Sequence, residues 1–481
     1  MNIVNKDHIG KAYPDYKHPI EKAFQTGQSH IFSWWNEITP AEKLHLLGQI
    51  SSIDFTLLQK LFHESFISAS DMFQKDLQPP PIIGIPENIT EKKAAEKAKQ
   101  VGEESLRNGE IAILTVAGGQ GTRLGIDGPK GMLPISPINK KSIFQLHAEK
   151  IYALQMKYNA MFPWYIMTSE TNDNDTKEFF RSNKFFGLDQ QRVYFFTQRM
   201  IPAVDMNGKI LMNTKSNIVM SPNGHGGTII ALQERNIIND MKERGIKHIF
   251  YHQVDNVLIK MADPVFIGYH LMDSADVSSK VVKKRSPDEK VGVIVYLDGH
   301  LHVVEYSELS QEDKYAKNND GTLKYNAGNI AIHIFSIAFL EKLFQMETYL
   351  PYHLAIKKVP FIDLNGNLIT PKENNAIKFE TFIFDVLKHV KNGVLMEVVR
   401  KEEFSPVKNA EGDDSPATAQ QDMVNIFGQW LRKAGVAIPK DSNDNVKGLI
   451  EINPCFAFDE EDLIKNVDKD LEFRGFLNLE H

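Results

Sequence analysis

The sequence predicts an α/β protein with a mostly parallel mixed sheet of the Rossmann-like kind, flanked by a helical N-terminal region and a small C-terminal domain. Three observations carry that expectation. Short apolar runs such as Ile111–Val116 alternate with stretches of helical periodicity from about residue 106 to about 400, the alternation that builds parallel sheets. Before that stretch, apolar residues recur at helical spacing. After about Lys401 the segments shorten and acidic loops appear, Glu411-Gly412-Asp413-Asp414 among them. At 481 residues the chain exceeds the roughly 100–200 of a typical domain, and the expected parts are 1–105, 106–400 and 401–481.

The elements follow in order. Leu44, Leu46, Leu47, Ile50, Leu57, Leu58 and Leu61 suggest short packed helices, with Trp34 and Trp35 read as bundle core in preference to a ligand platform. Pro79-Pro80-Pro81 forces an extended connector, because proline cannot continue a helix. Asn88 and Glu91 form a capping pair that opens a helix running to about Asn108, and Gly109 ends it. Strands are then expected at Ile111–Val116, Trp164–Thr168, 193–196 and 248–254, with a helix at 144–158 and one with polar breaks at 230–244. A parallel sheet of this kind binds its ligand at the carboxyl ends of the strands.

Composition removes several classes of function. Hydrophobic residues at 42% and charged residues at 24% suit a globular protein. A net charge of -7 lacks the basic footprint of a nucleic-acid binder. The lone Cys455 excludes an intrachain disulfide framework, is read as an inert, partly buried thiol, and suits a reducing compartment. No basic leader precedes an apolar stretch, and Ile330 to Leu340 is too short for the roughly 20 residues of a membrane span. The expected location is the cytoplasm.

The strongest chemical signal follows the first strand: Ala117-Gly118-Gly119-Gln120-Gly121-Thr122-Arg123-Leu124-Gly125, then Pro129-Lys130-Gly131. Glycines after a strand let backbone N–H groups approach phosphate oxygens. Arg123 adds a bidentate cation and Lys130 a mobile point charge. The spacing fits neither a Walker A loop nor the dinucleotide fingerprint. An Asp at the end of a later strand, Asp255, stands where a carboxylate holds Mg²⁺ opposite a phosphate loop. Asp263 is read as a helix cap.

The loop resembles the signature of the UDP-sugar pyrophosphorylases, specifically the eukaryote-type UDP-N-acetylhexosamine pyrophosphorylases, and further segments share the likeness. Phe195-Phe196-Thr197-Gln198-Arg199-Met200-Ile201-Pro202-Ala203 matches the family segment whose Gln reads uracil, which falls on Gln198. An amide offers that ring edge one donor and one acceptor. Met220-Ser221-Pro222-Asn223-Gly224-His225-Gly226-Gly227 resembles the loop lying against uracil and ribose, and it includes Pro222 and Gly224. Val291-Gly292-Val293, Glu305 and Asn329 match sugar-binding segments, and Phe382 and Phe384 match aromatics beside an acetamido group. Glu403-Phe404-Ser405-Pro406-Val407-Lys408 resembles a catalytic-site loop whose Lys, here Lys408, reaches phosphates.

The resemblance implies a nucleotidyltransferase forming UDP-N-acetylglucosamine and pyrophosphate from UTP and N-acetylglucosamine 1-phosphate. Arg123, Lys130 and Lys408 would be catalytic. Gly118, Gly119, Gln198, Pro222, Gly224 and Asp255 would bind nucleotide, and His225, Gly292, Glu305, Asn329, Phe382 and Phe384 would bind sugar. Asp255 would also carry Mg²⁺. The implied partners are these two small molecules, with no nucleic acid and no membrane, for a monomer or weak homo-oligomer. One departure keeps glucose 1-phosphate, or a broad sugar range, open: the hexosamine enzymes typically carry Asn where this chain has His225, a position that is commonly His in glucose-directed relatives. A non-catalytic sugar-nucleotide sensor is the remaining alternative, and the four charged residues Arg123, Lys130, Asp255 and Lys408 argue against it.

Overall fold

The computed structural model describes residues 5–64, 77–346 and 350–480. The chain forms two compact units, and both are discontinuous in sequence. One comprises Met1–Gln74, Arg199–Gly227 and Tyr349–Ile383, and the other Lys75–Gln198, Thr228–Thr348 and Phe384–His481. The edges of these units do not coincide with the boundaries expected near 105 and 400. The physical reason is that the N-terminal helices share a core with strands from later in the chain. Ile9, Ile20, Phe32, Trp35, Leu46, Leu47 and Leu58 pack with Ile201, Val204, Ile218 and Phe379. Trp35 is core, as read from the sequence, and meets Tyr13 and Phe32 edge-on.

The larger unit is organised by a nine-stranded mixed sheet. Its parallel run is, in spatial order, His248–Gln253, Ile111–Val116, Trp164–Thr168 and Val193–Thr197. Ile111, Ile113, Trp164, Ile166 and Phe250 are fully buried, as near-continuous apolar runs require when both faces of a parallel sheet are covered. Ala327–Ser336 then pairs antiparallel with His248–Gln253, Val277–Lys283 and Val293–Leu297. It contains Ala331 at φ 55°. The apolar stretch from Ile330 to Leu340 is thus divided between this strand and the helix Ile337–Gln345. No helix among the described residues is long and apolar enough to cross a membrane.

Helix boundaries obey local chemistry. Asn88 and Glu91 form a reciprocal capping box for Ile89–Arg107, and Gly109 follows in the left-handed region. Asp263 caps Pro264–Met272 through Val265 N. These two helices pack closely. A Cβ on Gly102 would lie 1.9 Å from Pro264 O, and one on Gly268 would lie 1.7 Å from Ala98 O. The single helix expected at 230–244 is instead two, Gly227–Glu234 and Ile237–Glu243. Asn236 separates them with φ 57°, a left-handed conformation that asparagine tolerates better than most residues. The C-terminal segment carries its own apolar cluster, with Val424, Leu431, Ile450 and Leu463 at its centre.

Two polar features are built into this larger unit. Lys280, fully buried, meets Asp263 at 2.7 Å and also binds Glu403. Burial opposes the charged form of Asp263, yet the ammonium groups of Lys260 and Lys280 hold it below its usual value. Burial raises Glu403. The second feature is a set of interior histidines. His270 joins Ser278 at 2.7 Å and His248 at 3.0 Å, and His252 joins Thr115 at 2.8 Å.

Two expectations follow. Lys280→Met removes the ammonium that contacts both buried carboxylates, leaving only the more distant Lys260, and should destabilise the fold by about 3–5 kcal/mol, read by urea unfolding. Burial lowers His248 to about 4, His252 to about 4 and His270 to about 3. Below their ordinary value of 6.5 the unfolded chain therefore binds more protons than the folded one. Stability present above pH 6.5 should fall as pH drops towards those depressed values, each group contributing up to about 1.4 kcal/mol per pH unit. Flat unfolding midpoints between pH 7 and about pH 5 would contradict this account.

Candidate active site

The first strand ends at Val116 and passes into the glycine loop. Gly118 lies where a Cβ would stand 2.2 Å from Gln198 Nε2, so only glycine lets that amide rest against the loop. Ser169 Oγ donates to Gly118 O and Asn172 Nδ2 donates to Ala117 O, both at 2.9 Å. The loop closes on itself through a bridge between Gln120 and Pro129, with Gly121 N donating to Gly128 O and Lys130 N to Gly119 O. Lys130 thereby returns beside Gly119, while Gly119 and Arg123 remain exposed. Arg123 has no ion-pair partner among the described residues.

Lys130 Nζ lies 3.1 Å from Asp255 Oδ2, with the Asp255 side chain only 10% exposed. The fold thus joins two of the predicted residues, 125 positions apart in sequence. A third is brought in by its backbone. Val407 N donates to Asp255 O at 3.0 Å, so the residue before Lys408 is hydrogen-bonded to the aspartate. Lys408 is exposed, its ammonium 5.8 Å from the Phe404 ring centre, and its N–H donates to Asp414 O.

Other predicted residues form two local groups in the same unit. Gln198 is 4% exposed, and its Oε1 has no hydrogen-bond partner among the described residues. That acceptor suits a ligand N–H, since a buried unpaired oxygen costs about 1–3 kcal/mol. Gly292, Glu305 and Asn329 also gather: Asn329 N donates to Gly292 O at 2.9 Å, and a Cβ on Gly292 would lie 3.0 Å from Glu305 Oε1. Ala331 N donates to Asn329 Oδ1 at 3.0 Å. Phe384 is buried at 7% exposure.

Pro222, Gly224, His225 and Phe382 belong to the other unit. Their loop is fastened to the end of the strand Ala376–Thr381. Thr381 N and Oγ1 both donate to Asn223 O, and Gly226 N donates to Thr381 O. His225 Nδ1 accepts the Ile383 N–H at 3.1 Å, and its ring stacks on Phe382 at 5.3 Å. One ring nitrogen of His225 thus shapes the loop. His353, on the neighbouring strand, stacks on Phe382 at 4.4 Å.

Sequence reading missed His353, Asn256, Lys280 and the structural part played by Glu403. Asn256 Nδ2 donates to Glu403 O at 2.7 Å, and Ser405 N donates to Asn256 Oδ1 at 3.0 Å. For Lys280 the sequence offered no clear signal, since the strand Val277–Lys283 also holds Ser278, Ser279 and Lys283.

Comparison with known proteins agrees with this architecture. Residues 58–421 match the family described as UTP–glucose-1-phosphate uridylyltransferase. UDP-N-acetylhexosamine pyrophosphorylase-like protein 1 of Xenopus tropicalis is 38% identical over 489 residues, covering 95% of each chain. UDP-N-acetylglucosamine pyrophosphorylase of Saccharomyces cerevisiae is 38% identical, covering 91% of this chain and 94% of its own. The crystal structure of the uridine diphosphate N-acetylglucosamine pyrophosphorylase from Trypanosoma brucei in complex with inhibitor superposes with a TM-score of 0.80 at 30% identity, covering 94% of each chain. With its sheet, its glycine loop and these relatives in agreement, the chain belongs to the UTP–glucose-1-phosphate uridylyltransferase family and is a nucleotidyltransferase.

Proposed function

We propose that the protein forms UDP-N-acetylglucosamine and pyrophosphate from UTP and N-acetylglucosamine 1-phosphate. The carrying observation is the contact of Lys130 with Asp255 at the carboxyl ends of parallel strands, with the Lys408 segment hydrogen-bonded to the same aspartate. An oxygen of the sugar 1-phosphate attacks the α-phosphorus of UTP, and the bond to pyrophosphate breaks in line. The attacking group is already an anion, so no enzyme nucleophile or covalent intermediate is needed. The obstacle is repulsion between polyanions, which positioned cations and backbone donors reduce.

In this reading the N–H groups of Gly118 and Gly119 face the triphosphate, with Arg123 and Lys130 neutralising it and Lys408 meeting the incoming phosphate. Gln198 reads uracil with its unpaired oxygen. Pro222 and Gly224 shape the nucleotide loop. Within the larger unit, Gly292, Glu305, Asn329 and Phe384 receive the sugar. The donor set suits Mg²⁺ that takes most of its ligands from phosphates and water. A single shielded carboxylate, Asp255, already attracts a cation, and no cluster of three acidic, histidine or cysteine residues exists among the described residues. Bound there, the ion would offset charge on the phosphates.

Transfer to glucose 1-phosphate is the second reading, favoured by His225 alone. A panel of sugar 1-phosphates with UTP, followed by pyrophosphate release, separates the two. N-acetylglucosamine 1-phosphate should give the highest kcat/KM, and a preference for glucose 1-phosphate would overturn the first choice. Lys130→Ala should keep the fold, as judged by circular dichroism, and lose about two to three decades of kcat. Near-wild-type turnover by the folded variant would remove Lys130 from the mechanism.

A further inference from the structure

We propose that Asn256 is a positioning residue that sets Lys408 against the reacting phosphates, by lacing residues 403–407 to the strand end that carries Asp255. The inference rests on the functional reading above. Asn256 is 3% exposed and uses both arms of its amide: Nδ2 donates to Glu403 O at 2.7 Å, and Oδ1 accepts Ser405 N–H at 3.0 Å. Two residues on, Val407 N donates to Asp255 O at 3.0 Å. Residues 403, 405 and 407 are thus held in turn by two adjacent residues, and the strap ends where Lys408 begins. Beneath it, the Glu403 carboxylate is anchored on fully buried Lys280.

The opposite side of the same turn is fixed independently. His147 Nε2 donates to Val254 O at 2.8 Å, and Lys150 Nζ donates to Val257 O at 2.7 Å and to Ile259 O at 3.0 Å. Asp255 therefore sits in a braced turn, and the strap borrows that rigidity. A lysine stem is flexible, so the backbone it springs from decides which phosphate its ammonium can reach. Misplacement by about 1 Å can lower a rate about 100-fold. Truncating Asn256 leaves Glu403 O and Ser405 N–H without their side-chain partners, so no side chain of the strand end holds the strap at those two residues.

A double-mutant cycle between Asn256→Ala and Lys408→Ala, assayed by pyrophosphate release, tests this. Asn256→Ala alone should lower kcat about 10–100-fold, the range for groups that orient a ligating residue. The KM for UTP should stay within about twofold. In the Lys408→Ala background the same change should lower kcat by less than about threefold, because residues acting as a unit are non-additive. Full multiplication of the two effects, or wild-type kcat in folded Asn256→Ala, overturns the proposal. A purely structural role would lower thermal stability equally in both backgrounds without that cancellation. Should Asn256→Ala fail to fold, Asn256→Asp takes its place: it keeps the acceptor for Ser405 N–H, loses the donor to Glu403 O and carries the same expectations. Failure of the functional reading is distinguishable, since it appears as wild-type enzyme that releases no pyrophosphate with any sugar 1-phosphate.

Discussion

The contact between Lys130 and Asp255 organises the rest of the site. A carboxylate with little access to water needs a counter-charge, and the fold supplies one by folding the glycine loop back on itself until Lys130 returns beside Gly119. That geometry needs the parallel order of the central strands, because it sets the carboxyl ends of Ile111–Val116 and His248–Gln253 side by side. It also needs the clasp between Gln120 and Pro129. The ion pair and the sheet topology are therefore one constraint seen at two scales.

Around this pair, backbone carbonyls are held by side chains from separate elements. His147 and Lys150, one helical turn apart on Ile143–Tyr158, hold the turn after Val254. Asn256 and the 403–407 segment hold its other side. Lys280, Asp263 and Glu403 form the buried ionic floor. Such a floor adds little net stability compared with an apolar core, but it tolerates few alternative arrangements. It anchors Glu403, the residue at which the strap begins.

Much of this was readable in the amino-acid sequence, and the limits have physical causes. Strands buried on both faces announce themselves as apolar runs, so Ile111–Val116 and Trp164–Thr168 were found with their observed ends. Asn88 with Glu91, and Asp263 before Pro264, are local signals and were legible. The break at Asn236 was not, because periodicity continues across a single left-handed residue. The pairing of Asn256 with Glu403 spans 147 positions and that of Lys280 with Glu403 spans 123. No local pattern encodes such pairs. The apolar N-terminal residues gave away their helices but not their partners, Ile201 to Phe379, because a hydrophobic stripe does not specify what covers it. At the site, Lys130 and Asp255 were singled out by residue type and motif and the fold brings them into contact, whereas the use of His225 Nδ1 by Ile383 N–H could be seen only in three dimensions.

The clasp between Gln120 and Pro129 divides the glycine loop into an anchored base and an overhanging crown. Lys130 springs from the base, and Arg123 from the crown. On the proposed function, the two cations would meet an arriving polyanion on unequal footing. Lys130 starts from a pose held by Asp255 and would exchange one negative partner for another. Arg123 starts in water and gives up rotamer freedom, about 0.5–1.5 kcal/mol for a long side chain. The loop thus carries one charge already held by a partner and one exposed to solvent.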